Sequence, residues 1–144
     1  MTAKSVRIFL ADDSASDVFL VRRAVEQQGI PHDFTVTHDG EEALCLLRQA
    51  EKDPLAGRPQ LILLDLNLPK VDGGMILSYI RRTPAFDGTL VIVLTTSDSP
   101  QDRNLVRSLG ARYFQKPVDL RSFMQLGQVI EDTLNGRADD PKGE

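Results

Sequence analysis

Residues 61–73 read LILLDLNLPKVDG. Four consecutive apolar side chains fit a short strand buried on both faces, as at the centre of a parallel sheet, rather than the alternating pattern of a half-exposed strand. An acid, Asp65, ends the run, and Pro69 and Gly73 punctuate the loop behind it. A carboxylate at the inner end of a buried strand is costly unless something answers its charge.

The pattern repeats outward in both directions. Further strands are expected at 6–11 (VRIFLA), 90–94 (LVIVL), 34–38 and 111–114; the first two are nearly continuous apolar runs, whereas 34–38 alternates like an edge strand. Amphipathic stretches lie between them. Helices are expected at 16–28 (stopped by Gly29 and Pro31), 41–50, 74–82 (before Pro84) and 100–109 (before Gly110). A last helix, capped by Asp119 and running to Leu134, has Leu120, Phe123, Met124, Gly127, Ile130 and Leu134 on its apolar side. Strands alternating with helices predict an α/β fold, a doubly wound five-stranded parallel sheet with helices on both faces.

The 144 residues suit one domain, placed at 1–135, with a short polar tail at 136–144 that frays or docks. A composition of 41% hydrophobic and 26% charged residues is that of a globular chain. No apolar run approaches the roughly 20 residues of a membrane span, and the start turns acidic too early for a signal peptide, so a cytoplasmic location is expected. The net charge of -4 with scattered basic residues argues against direct nucleic-acid binding. Cys45, the single cysteine, forms no internal disulfide and reads as a core filler among Ala43, Leu44, Leu46 and Leu47.

In an open parallel sheet, ligands collect beyond the carboxyl ends of the strands. Those ends carry Asp12 and Asp13, Asp65, and Thr95 and Thr96, and Lys116-Pro117 follows the fifth strand. Carboxylates gathered in a partly dry crevice repel one another unless a cation sits among them. Oxygen-only ligands with no His or Cys suit Mg²⁺, and the acids are too sparse for a calcium loop. Lys116 and Thr95 then answer negative charge arriving on Asp65, which makes Asp65 the candidate covalent phosphoryl acceptor. Taken singly, each feature has a plainer reading: Asp12 and Asp13 as helix caps, Asp65 as a turn residue, Lys116-Pro117 as an ordinary loop, Tyr113 as strand packing. All being coincidence at once is the weaker explanation.

The motifs FLADDS (9–14), LILLDLNLPKVDG (61–73), VIVLTTSD (91–98) and YFQKPVD (113–119), with Thr95 30 and Lys116 51 positions after Asp65, resemble the receiver domain of two-component response regulators. The resemblance spans about 5–135 and implies a flavodoxin-like (βα)5 receiver with strand order 2-1-3-4-5. It implies Asp65 as phosphorylation site, Mg²⁺ held by Asp12, Asp13, Asp65 and the Asn67 backbone carbonyl, phosphoryl contacts from Thr95, Thr96 and Lys116, and a Thr95–Tyr113 switch pair. LLDLNLPK, VLTTSD and KPVDL look most like the small regulators associated with bacterial and cyanobacterial phytochromes, while Gly73-Gly74 and 83–88 depart from them. Implied partners are a sensor histidine kinase of bacteriophytochrome type, a downstream phosphotransfer protein, and a second copy docked through the fourth helix, fifth strand and fifth helix or through the tail. A haloacid-dehalogenase phosphatase would need an acid where Asn67 stands, and DDSASD is too acidic for a flavin phosphate loop. A constitutive binding module would lack one of the Asp, Thr or Lys residues, and none is missing.

Overall fold

The computed structural model describes residues 5–53, 55 and 57–136. The tail from 137 onward lies outside the described residues. Strands β1 (Val6–Ala11), β2 (His32–Thr37), β3 (Leu61–Asp65), β4 (Leu90–Thr95) and β5 (Arg112–Gln115) form one sheet in the order β2-β1-β3-β4-β5. All four pairings are parallel. Between the strands run α1 (Ala15–Gln27), α2 (Gly40–Lys52), α3 (Gly73–Arg82) and α4 (Pro100–Ser108), followed by α5 (Leu120–Phe123) and α6 (Leu126–Leu134).

The side-chain alternation of the strands sorts the core into two layers. Phe9, Ala11, Ile62, Leu64, Val91 and Val93 face one way, against α2, α3 and Val106 of α4. Ile8, Leu10, Leu61, Leu63, Ile92 and Leu94 face the other, against α1 and the C-terminal helices. Every residue of β3 is buried, which is why its sequence carries no polar position until Asp65. β2 alternates in exposure, as an edge strand does.

Three sequence expectations are corrected. Cys45 is exposed. α2 turns Ala43 and Leu47 inward, and Cys45 stands two residues from each, roughly 200° around the helix at 100° per residue. The last helix is broken at 124–125, where bonding shifts to i→i−3: Gln125 N–H donates to Ser122 O, Gly127 N–H to Met124 O and Gln128 N–H to Gln125 O. Gly127, a poor helix former, stands at the break. Leu120, assigned to the apolar side, is 61% exposed: it is the first residue of α5, beside the exposed Val118, ahead of the turns that cover the sheet. Phe123, Leu126 and Ile130 supply the buried contacts instead.

Side-chain caps start α1 to α5: Ser14, Asp39, Asp72, Ser99 and Asp119 each accept a backbone N–H of the first turn. The Glu42 N–H bonded to its carboxylate, together with nearby Lys70, holds the Asp39 carboxyl below its ordinary 3.8. A lowered carboxyl stabilises the fold above the ordinary value and loses that contribution as pH falls through the folded value. Asp39→Ala is therefore expected to lower the unfolding midpoint at pH 7, with the gap to the wild type narrowing only as pH falls below 3.8 and through the lowered folded value, followed by circular dichroism across a pH series.

Candidate functional site

The parallel register aligns the carboxyl ends of the central strands: Ala11 lies opposite Leu64, and Asp65 opposite Leu94. Asp12, the residue after β1, therefore stands beside Asp65, the last residue of β3. Asp12 is fully buried and Asp65 nearly so, while Asp13 is exposed at the rim. One carboxylate oxygen from each of these three acids lies within 4.8 Å of the others.

Hydrogen bonds fix the two buried acids. Asp12 Oδ1 accepts the Ser14 N–H at 2.9 Å and Asp65 Oδ1 accepts the Asn67 N–H at 3.0 Å. Asp12 does not cap α1; Ser14 does, leaving the acid to the crevice. Lys116 reaches in from the loop after β5, whose backbone is tied to β4 by its N–H donating to Thr95 O at 2.7 Å. Its ammonium donates to Asp12 Oδ2 at 2.8 Å, Asp17 Oδ2 at 2.9 Å and Asp65 Oδ2 at 3.1 Å. An ammonium has three donors, and all three are taken.

Burial raises the Asp12 pKa above its ordinary value, against the opposing pull of the Lys116 and Ser14 bonds. Burial alone would depress Lys116, but the bonds from Asp12 and Asp17 and the charges of Asp12 and Asp65 outweigh it and raise its pKa, so the ammonium stays charged at neutral pH. Three acids thus meet a single lysine, and Asp13 adds a fourth carboxylate beside two of them. The donor set is oxygen only and its charge exceeds what Lys116 balances, so the residues fit a hard divalent cation held among Asp12, Asp13 and Asp65.

The remaining sequence candidates lie at the end of β4, on β5 and in the turn after β3. Thr95 is buried at the end of β4, its Oγ1 accepting the Ser97 N–H at 3.2 Å, and Thr96 next to it is exposed. Asn67 is exposed in the turn after Asp65, between the buried Leu66 and Leu68 that pin that turn to the core. Tyr113 is half-buried on β5 and its hydroxyl donates to Ser97 O in the loop after Thr95. The Arg103 guanidinium lies 4.5 Å from the centre of the Tyr113 ring and donates to Gln115 at 3.1 Å. Sequence reasoning missed Asp17 and Arg103. DDSASD does contain a third acid three residues after Ser14, the spacing that returns a side chain to a helix N-terminus, but its partner Lys116 is 99 positions away.

Five parallel strands in the order 2-1-3-4-5, with helices on both faces and acids gathered at the carboxyl edge, define the flavodoxin-like receiver fold. The chain belongs to the response regulator receiver domain family, whose model matches residues 8–127. It is 36% identical over 125 residues to response regulator Rcp1 of Synechocystis sp., covering 86% of this chain and 85% of that one. The crystal structure of the phosphorylated cyanobacterial phytochrome response regulator RcpA superposes with a TM-score of 0.83 at 35% identity, covering 94% of this chain and 98% of RcpA. The Mn²⁺-bound form of Rcp1 gives 0.81 at 33% identity, covering 95% and 99%. Among the described residues no helix is long and apolar enough to cross a membrane.

Proposed function

We propose that this chain is a phospho-acceptor switch in which Asp65 takes a phosphoryl group from a sensor histidine kinase. The observation that carries this reading is the Lys116 ammonium seated on both Asp12 and Asp65, with Asp13 beside them. An Asp65 carboxylate oxygen attacks phosphorus, the bond to the donor's imidazole nitrogen breaks, and the imidazole leaves with the bonding pair and takes up a proton. Such transfer is mostly positioning and charge stabilisation.

Asp12, Asp13, Asp65 and the Asn67 backbone carbonyl would hold Mg²⁺, which when bound neutralises charge on the phosphoryl oxygens. Lys116 turns a proton from Asp65 toward a phosphoryl oxygen, and Thr95 and Thr96 supply hydroxyl donors. Thr95 gives up its bond to Ser97 to do so. The Tyr113 hydroxyl holds the carbonyl of that same Ser97, so movement of Thr95 loosens Tyr113 and reshapes the face of α4, β5 and the C-terminal helices α5 and α6.

That face is the reading's output surface, for a second copy of the chain or a downstream phosphotransfer protein. The phytochrome and bacteriophytochrome response regulators among its structural relatives support a kinase of phytochrome type. The protein accepts and releases a phosphoryl group and turns over no other substrate. Intact-protein mass spectrometry after incubation with acetyl phosphate and Mg²⁺ is expected to show one added phosphoryl group, absent when EDTA replaces the metal. Equal uptake with EDTA would remove the metal from the reading, and no uptake in either sample would favour a constitutive binding module.

A further inference from the structure

Ser14, Ala15, Ser16 and Asp17 form the sequence pattern in which an acid three residues after a Ser cap reaches back to the cap's own N–H. Half of that arrangement is present: Ser14 Oγ accepts the Asp17 N–H at 3.2 Å. The other half is diverted, because the Ser14 N–H goes to Asp12 Oδ1 and the Asp17 carboxylate goes to Lys116 at 2.9 Å. Asp17 is thus committed to the lysine rather than to its own helix. It also differs from the lysine's other two partners. Asp12 and Asp65 belong to the three-acid cluster that fits a divalent cation, and Asp17 does not. Asp12 and Asp65 must share their oxygens between the ammonium and any other cation or phosphoryl group. Asp17, at the rim with its side chain 25% exposed, has no such second claim.

We infer that Asp17 is a positioning residue for phosphoryl transfer: it anchors the Lys116 ammonium over Asp65 both in the metal-free protein and when Asp12 and Asp65 are engaged elsewhere. The inference rests on the phospho-acceptor reading. The lysine then keeps one proton on Asp17 and turns the others to the incoming group, instead of swinging out to solvent on its flexible stem.

The test combines a readout of the lysine without metal and a readout of transfer. Asp17→Asn keeps the shape and removes the charge, and Asp17→Ala, measured alongside, removes both. In metal-free protein, labelling of Lys116 by an amine-reactive ester, quantified by peptide mass spectrometry, is expected to rise several-fold in both variants. With acetyl phosphate and Mg²⁺, phosphoryl uptake is expected to slow by about tenfold or more, since small misplacements of a positioned group cost that much. Unchanged Lys116 labelling overturns the inference, as does uptake at the wild-type rate. Wild-type protein that takes up no phosphoryl group overturns the underlying reading instead, so the two failures are told apart.

Discussion

Asp65→Asn is expected to take up no phosphoryl group from acetyl phosphate and Mg²⁺ under conditions that fully modify the wild type. The amide is isosteric and still has an oxygen to accept the Asn67 N–H, so the turn at 65–67 keeps its bond. What goes is the nucleophilic carboxylate and the negative charge that Lys116 meets at 3.1 Å. Asp12, Asp13 and Asp17 remain, and none takes over. Asp12 is fully buried against the lysine, Asp17 sits at the rim outside the three-acid cluster with its Oδ2 on the lysine, and Asp13 is exposed and, among the described residues, makes no ion pair with Lys116. The check is intact mass of variant and wild type side by side; uptake by the variant at the wild-type level would move the acceptor to another residue.

Gly73→Ala is expected to cause the second large effect, and to do so through the backbone. Gly73 begins α3, and its N–H donates to Leu66 O at 3.0 Å, closing the loop that leaves Asp65. A β-carbon there would lie 2.2 Å from the Asp65 carbonyl oxygen and 2.7 Å from Leu66 Cα. Both are main-chain atoms, one in the last residue of the buried β3 and one in the residue after it, so relief requires the end of β3 to shift, and Asp65 shifts with it. The expected cost is about 3 kcal/mol in urea unfolding, at the upper end for overpacking, with phosphoryl uptake slowed at least about tenfold. Gly74→Ala is the control: its β-carbon would meet only side-chain atoms, Asp72 Oδ2 at 3.4 Å and Leu105 Cδ2 at 3.5 Å, and a helical position favours alanine. Equal stability of the two variants would show that the turn yields without moving the strand.

Gly73 also marks the boundary of what the sequence discloses. The three central strands were readable because burial on both faces leaves an uninterrupted apolar signature, and a residue ending such a strand in a parallel sheet must lie at the ligand-binding edge. Asp12, Asp65 and Thr95 follow from that alone. The edges were less legible. β2 begins at His32, two residues ahead of the expected start, because His32 and Asp33 are held by pairing with Val6 and Arg7 rather than by burial. The pattern that put Cys45 and Leu120 in the core registers hydrophobicity, not which side of a helix meets the sheet or where the sheet stops. The contacts that tune the site are long-range: Asp17 with Lys116, and Tyr113 with Ser97 and Arg103, join segments whose spacing carries no periodic signal.

The central claim is that the phosphoryl group is carried as an acyl phosphate on Asp65. Borohydride reduces such an anhydride to an alcohol and leaves a free carboxylate untouched, converting the modified aspartate to homoserine. Peptide mass spectrometry of protein treated with acetyl phosphate and Mg²⁺ and then reduced is expected to find homoserine at position 65 and intact aspartate at 12, 13 and 17. Homoserine at one of those three positions, or phosphate that survives reduction on Thr95 or Thr96, would contradict the account.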